Sequence, residues 1–325
     1  MSLSSYLLRR FLRNPREALR LKRAGDEIGG YIAWRLYAEL QEAGLLKAFE
    51  ERPWWDFNDK ELARLVQDIL VEEGLARRSG DTIRAVKAPE RPEITTGEAA
   101  DMIPVLDKAL QLLPEVLESG KKPEYSRVKA LTAKLVGSFG VRLEFEAAVE
   151  VSGLDKLPES SVVLDVFPRV GTSTATLLEL TRAGILAVEP YPENLEVLEG
   201  LVKLQGVGDR VRLVHAAPLE SMRIQERVDA AFMGEVLHWT PSPQMVLRAV
   251  RNHMKRDSFL VLAQTVYSSL GMKVGLLGYL LGALRLPPTS GELRSMLRVA
   301  GFKVDKWLES MGVALVRARP MVTFV

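Results

Sequence analysis

The sequence predicts an α/β protein in which a doubly wound parallel sheet follows a mainly helical N-terminal region. From residue 161 onward, short apolar runs that end in polar residues alternate with helical patterns, as a parallel sheet requires. Before that point, apolar residues recur mainly at helical spacing. A length of 325 residues, 47% of them hydrophobic, suits two domains with buried cores better than one.

Composition excludes several classes of function. The formal net charge is +2, so no overall field favours nucleic acid or acidic partners. The absence of cysteine excludes disulfides, thiolate metal sites and a cysteine nucleophile, and the three histidines are too scattered for a metal cluster. Four Asn and seven Gln stand against 44 Lys and Arg and 42 Asp and Glu, a balance typical of thermophile proteins.

The N-terminal 23 residues are basic and amphipathic. The seven basic residues, which face the single acid Glu17, are Arg9, Arg10, Arg13, Arg16, Arg20, Lys22 and Arg23. Such a helix can lie on an anionic membrane surface. We favour a first helix that packs on its own domain or across a dimer, because helical pattern continues directly after it. No apolar run is long enough to span a bilayer and no signal peptide is recognisable, which predicts a cytoplasmic protein.

The helical region has its own order of elements. Asn14 and Pro15 predict a helix start, and Gly29-Gly30 predicts a break. A helix over 59–73 with one apolar face precedes two short strands around the turn 79–81. Helix, helix and hairpin form a winged-helix pattern, which can bind DNA. The second helix carries five acids, which disfavours DNA binding. Two further helices are predicted over 98–118 and 125–151.

The stretch around which the chain is organised is Ser161 to Leu180, SVVLDVFPRVGTSTATLLEL. An apolar strand leads into Asp165, an irregular turn closes on Gly171, and a helical run begins at Thr172. A buried parallel strand that turns tightly into a helix forms a ligand-facing corner, because ligands bind at the carboxyl ends of such strands. We therefore expect a ligand-binding α/β domain.

This stretch resembles motif I of the class I S-adenosylmethionine (SAM)-dependent methyltransferases. Asp165 matches the acid that ends the family's first strand, and Gly171 matches the third of three glycines at alternate positions. Phe167 and Arg169 stand where the first two glycines are expected. Those glycines let the backbone turn sharply and approach the methionyl part of the cofactor. Phe167 and Arg169 must therefore fill the cofactor pocket, point away from it, or bind something of another shape.

The following strands supply further candidates. Glu189 ends the strand GILAVE, 24 residues after Asp165, close to the ~20-residue spacing at which an acid reaches ribose hydroxyls. The resemblance implies the same contact. A third strand, 211–215, precedes Ala216, which stands where family members carry an acid that contacts the adenine amino group.

A fourth strand, 228–233, leads to a segment that resembles the one in which some O-methyltransferases carry a catalytic histidine. His238 matches that position, which implies a base that removes a proton from a substrate hydroxyl. Glu235, one turn earlier, is expected to orient His238 or to replace the missing cofactor contacts.

The remaining segments complete the resemblance. A fifth strand, 258–265, precedes an apolar segment, 272–286, which the family implies to be a lid over a hydrophobic substrate, with a dimer contact or a membrane-touching face as alternatives. A helix over 292–300 and a hairpin over 302–309 and 312–319 match the closing antiparallel hairpin of a seven-stranded Rossmann-like methyltransferase sheet.

The expected domains are a helical and winged-helix dimerisation domain at 1–95, linking helices at 96–152 and the Rossmann-like domain at 153–325. We interpret the chain as a homodimeric SAM-dependent methyltransferase that acts on a hydroxyl of an apolar small molecule. The alternative is a divergent or inactive binding protein of the same fold with an altered cofactor pocket, and in a variant Arg169 pairs with the cofactor's carboxylate. A dinucleotide-dependent dehydrogenase is disfavoured because the glycines are missing and the final hairpin is present. A winged-helix regulator is disfavoured by the acidic helix.

Overall fold

The computed structural model of this protein describes residues 14–321, and these residues separate into two units. The helical unit comprises residues 14–135 together with Tyr267–Leu286. The sheet unit comprises Val136–Val266 together with residues 287–321. This division differs from the predicted domains, because residues 96–135 and an internal segment near the C-terminus join the helical unit. Residues 1–13, which hold part of the basic segment, lie outside the described residues.

The helices follow one another as α1 (Pro15–Glu42), α2 (Leu45–Glu51), α3 (Lys60–Glu72), α4 (Gly97–Leu110), α5 (Leu113–Ser119), α6 (Tyr125–Val136), α7 (Phe139–Ser152), α8 (Thr172–Leu180), α9 (Pro192–Gln205), α10 (Pro243–Asn252), α11 (Ser269–Leu280) and α12 (Ser290–Val299). The strands are β1 (Ala76–Ser79), β2 (Thr82–Ala85), β3 (Val162–Val166), β4 (Gly184–Glu189), β5 (Val211–His215), β6 (Val228–Gly234), β7 (Met254–Thr265), β8 (Phe302–Ser310) and β9 (Val313–Pro320).

Helix α1 starts as predicted but does not break. The Asn14 side chain accepts a hydrogen bond from the backbone N–H of Glu17, and Pro15 occupies the first turn. The helix then runs through Gly29 and Gly30, so the predicted break is wrong. A glycine inside a helix costs only about 1 kcal/mol relative to alanine, and the apolar side chains buried just beyond the pair outweigh this cost.

Two predicted long helices are each divided in two. The segment 98–118 forms α4 and α5, with Pro114 in the first turn of α5. The segment 125–151 forms α6 and α7, and Ser138 precedes α7 in an extended conformation. The predicted α3 and the hairpin of β1 and β2 are confirmed. Asp59 caps α3 by accepting from the N–H of Leu62.

Helix α11 holds most of the apolar segment for which a lid, a dimer contact and a membrane face were the expectations. It packs against α1, α3 and α4, and Leu276 and Leu280 are fully buried. Lys273 of this helix donates to the carbonyl oxygen of Gly29 and pairs with Glu73 at 2.6 Å. Its apolar side chains therefore belong to the core of the helical unit. Across residues 14–321, every helix is too short or too polar to cross a membrane.

The sheet unit contains the predicted seven-stranded sheet. The strand order is β5-β4-β3-β6-β7-β9-β8. β3 to β7 pair in parallel, and β9 runs antiparallel to both of its neighbours. The Rossmann-like sheet and its closing hairpin are thus confirmed. The order reverses at β3, which lies between β4 and β6, so the carboxyl ends of β3 and β6 border the crevice where doubly wound folds bind ligands.

Candidate cofactor site

The turn after β3 follows a path that normally requires glycine. Phe167 and Arg169 have φ angles of 58° and 56°, and Gly171 has a φ of 89°. A left-handed conformation costs an L-residue other than glycine roughly 1–2 kcal/mol. Gly171 also has a steric reason, because a Cβ there would lie 3.0 Å from Cδ2 of Leu198. The backbone therefore keeps the glycine-type turn while two of its three positions carry large side chains.

Arg169 lies across the carboxyl ends of β3 and β6. Its side chain is 2% exposed. Its Nη1 donates to the carbonyl oxygen of Glu235 at 2.9 Å, and its Nη2 donates to that of Gly234 at 3.0 Å. The guanidinium carbon lies 5.1 Å from the centre of the Phe167 ring and 5.5 Å from that of Trp239. Arg169 thus occupies the crevice, so its guanidinium is not directed toward a ligand carboxylate.

Phe167 is also buried within the site. Its side chain is 3% exposed, and its ring centre lies 5.7 Å from that of Tyr191, which follows β4. Phe167 and Arg169 are thus both buried beside the carboxyl ends of the strands.

Asp165 is fully buried at the end of β3. It accepts hydrogen bonds from the hydroxyls of Ser173 and Thr174 at 2.9 and 2.7 Å. Burial raises the pKa of Asp165 to about 6, against these hydrogen bonds. The carboxyl group therefore fixes the first turn of α8 to the strand.

Glu189 ends β4 without solvent exposure. Its Oε2 accepts from the backbone N–H of Arg169 at 2.9 Å, and its Oε1 accepts from the N–H of Tyr191 and the amide of Asn194. Burial raises the pKa of Glu189 to about 7. Both oxygens are thus engaged within the protein. Ala216, after β5, contributes its backbone N–H to the carbonyl oxygen of Glu189 and has only a methyl side chain.

His238 lies in a short turn after β6 and is 6% exposed. Its Nδ1 is 2.9 Å from Nε2 of Gln264. The Oε1 of Gln264 accepts from the N–H of Leu237, which fixes the amide so that its Nε2 donates to Nδ1 and to the carbonyl oxygen of Thr265. Because Nδ1 accepts, a neutral His238 carries its proton on Nε2. Burial and the charge of Arg169 lower the pKa of His238 to about 3.

Glu235 is strained and deeply buried beside His238. Its φ is 55°, and its Oε1 accepts from the backbone N–H and the hydroxyl of Thr265. Its Oε2 lies 3.6 Å from Nδ1 of His238, so the amide of Gln264 is the closer partner of the ring. Glu144 of α7 hydrogen-bonds to the Glu235 carboxyl. Burial and this neighbour raise the pKa of Glu144 well above its ordinary value, so Glu144 is the protonated donor of the pair.

Sequence analysis missed Glu144, Gln264, Tyr191 and Trp239. The sequence does indicate Gln264, because a polar amide stands there within the apolar run FLVLAQT of β7. Glu144 belongs to a helix far from the motif in sequence, and nothing in its spacing pointed to the crevice.

The residues at the crevice do not fit SAM in the pose that the resemblance implied. Glu189 already accepts three hydrogen bonds within the protein, which leaves about one of its four acceptor positions for two ribose hydroxyls. The acceptors at the end of β6 are already paired with a cation, the Arg169 guanidinium. SAM is itself cationic, and it would compete with Arg169 for those acceptors.

Comparisons with known proteins agree with the fold. Residues 164–262 match the family model described as a methyltransferase domain. An O-methyltransferase family 2 protein from Planctomyces limnophilus, solved in complex with apigenin, is 17% identical with a TM-score of 0.60, over 92% of this chain and 96% of that one. The CurJ carbon methyltransferase is 17% identical with a TM-score of 0.68, over 94% of each chain.

A third similar structure is the mitomycin 7-O-methyltransferase MmcR, which is 18% identical with a TM-score of 0.54, over 94% of this chain and 99% of that one. No curated protein sequence matches significantly. The chain is therefore a protein of the class I methyltransferase fold. Residues 164–262 match a methyltransferase domain, so the comparisons agree with the resemblance at the level of the fold and of this domain.

Proposed function

We propose that this chain is a divergent methyltransferase-fold protein whose cofactor crevice is filled by its own Arg169, and that it does not bind SAM in the family's pose. The observation that carries the proposal is the Arg169 guanidinium, which donates to the carbonyl oxygens of Gly234 and Glu235 while it is 2% exposed. Two further observations support the proposal: the ring of Phe167 packs near that of Tyr191, and Glu189 is already hydrogen-bonded within the protein.

The expected penalty for cofactor binding is large. Hydrogen bonds from a charged donor contribute about 1.5–3 kcal/mol each. Two such bonds must break before a cofactor can use the same carbonyl oxygens, which amounts to roughly 3–6 kcal/mol, or about 10²–10⁴ in affinity. A ligand that leaves Arg169 in position does not meet this penalty.

A second candidate is SAM-dependent methyl transfer to a hydroxyl of an apolar small molecule, by a homodimer formed through the N-terminal region. The methyltransferase domain match and the presence of Asp165, Gly171 and Glu189 favour it. It requires Arg169 and Phe167 to leave the crevice. His238 acts as a base in it only if Gln264 releases Nδ1.

Calorimetric titration of the ligand-stripped protein with SAM and S-adenosylhomocysteine separates the two candidates. We expect no binding by the wild-type chain at millimolar ligand, and binding at least 100-fold tighter by a Phe167→Gly, Arg169→Gly double variant. Arg210→Gly is the matched control, because the Arg210 guanidinium also donates to backbone carbonyl oxygens but at the opposite ends of the strands. Micromolar binding of SAM by the wild-type protein would reject the first candidate in favour of the second.

A further inference from the structure

The acceptors and rings around Arg169 form a cage that suits a planar organic cation. We name the set comprising the carbonyl groups of Gly234 and Glu235 and the rings of Phe167 and Trp239 the cation cage. Each of the two carbonyl oxygens accepts a hydrogen bond from the same guanidinium. Both rings have the guanidinium carbon within 5.5 Å of their centres, inside the range of about 6 Å for cation–π attraction.

The charge of the same guanidinium acts on several buried acids. The positive charge of Arg169 lowers the pKa values of Asp165, Glu144, Glu189 and Glu235, although burial dominates and raises all four. The Oε1 atom of Glu144 is buried and has no hydrogen-bond partner among the described residues. Removal of the Arg169 side chain would thus leave the two carbonyl oxygens of Gly234 and Glu235 buried without a donor, which costs free energy.

We propose that the cation cage is a binding site for a guanidinium-type cation and that Arg169 is its permanently attached ligand. On this proposal the chain supplies from its own sequence the cation that occupies the crevice. This inference rests on the proposed function, since it explains why the crevice excludes SAM. It goes further by naming the class of ligand for which the site is built.

The test is chemical rescue of the Arg169→Gly variant. Glycine also removes the strain at φ 56°, so the variant differs from the wild type mainly in the missing guanidinium. Methylguanidinium at 20 mM is added, with 20 mM urea as a neutral planar molecule of similar size and 20 mM NaCl as the salt control. We expect methylguanidinium to raise the melting temperature of the variant by about 2–4 °C, the shift that a ligand of millimolar affinity gives to a unit of roughly 150–250 residues.

The wild type, whose cage is full, is expected to shift by less than a quarter of that amount, and so is Arg210→Gly. If Arg169→Gly does not fold alone, the readout becomes the recovery of its near-ultraviolet circular dichroism on refolding with methylguanidinium, urea or NaCl. Equal effects of methylguanidinium and urea on the variant, or equal shifts in the variant and the wild type, would overturn the proposal. These outcomes do not depend on whether the wild type binds SAM, so each proposal can fail alone.

Discussion

His238 offers the sharpest test of the site, because the structure lowers its pKa far below that of an efficient catalytic base and leaves its proton on Nε2. An ordinary histidine has a pKa of about 6.5, and burial with the charge of Arg169 lowers that of His238 to about 3. The folded protein therefore binds fewer protons at this ring than the unfolded chain between pH 3 and 6.5. Unfolding takes up a proton in that window, so this group lowers stability as the pH falls, by about 2 kcal/mol from pH 6.5 to 4.5.

Nitrogen NMR of the three histidines measures this directly. The His238→Asn variant assigns the resonance and keeps an acceptor, Oδ1, for the amide of Gln264. We expect the His238 ring to remain neutral at pH 5, with its proton on Nε2. In urea unfolding between pH 6.5 and 4.5, the wild type should lose about 2 kcal/mol more than the variant. A titration midpoint near 6.5, or a proton on Nδ1, would refute the reasoning and restore His238 as a candidate base.

Two further predictions concern the turn and the end of β4. Gly171→Ala should lower the free energy of unfolding by about 1–2 kcal/mol or more, because of the positive φ angle and the contact with Leu198. The control is Gly200→Ala in α9, where a Cβ meets nothing within 4 Å, and it should raise the free energy of unfolding by up to ~1 kcal/mol. Similar urea midpoints for the two variants would contradict this prediction. Glu189 is protonated in the folded protein up to about pH 7 but ionises near pH 4.5 when the chain is unfolded. The stability of the wild type relative to Glu189→Gln should therefore fall by about 3 kcal/mol from pH 4.5 to 7. A stability difference that does not change with pH would contradict this prediction.

Local patterns predicted the sheet unit well. Apolar runs ending at Asp165 and Glu189 sufficed to predict β3 and β4 and to bring both acids to one edge of the sheet, because parallel strands share the direction of their carboxyl ends. The closing hairpin was equally visible from its turn and its alternating pattern. Each of these predictions depends on residues close in sequence, whose preferences the fold does not override.

The errors in the helical unit have a long-range cause. Nothing local distinguishes Gly29-Gly30 inside a helix from a helix end, since the outcome depends on what packs beside it. α11 packs beside it, with Lys273 donating to the carbonyl oxygen of Gly29. The helices that pack on α11 lie some 200 residues earlier in the sequence, so no local pattern could show what its apolar residues contact.

The candidate site could be predicted as a set of residues but not as an arrangement. Sequence reasoning left the Arg169 side chain free to fill, to avoid or to reshape the pocket. Its direction is decided by acceptors at the end of β6, more than sixty residues away. In the same way, the state of His238 depends on Gln264, which the N–H of Leu237 orients.

Backbone strain connects the turn after β3 with the cation cage. Within residues 14–321, four non-glycine residues have positive φ angles, and three of them, Phe167, Arg169 and Glu235, border this one crevice. At roughly 1–2 kcal/mol each, such conformations persist only where surrounding contacts outweigh them. Those contacts converge on the guanidinium, which donates to the carbonyl oxygen of Glu235 and lies near the ring of Phe167. The glycine-type path therefore belongs to the connection of β3 to α8 and survives the loss of the glycines. Any ligand that displaces Arg169 must also replace the contacts that hold this strained path in place.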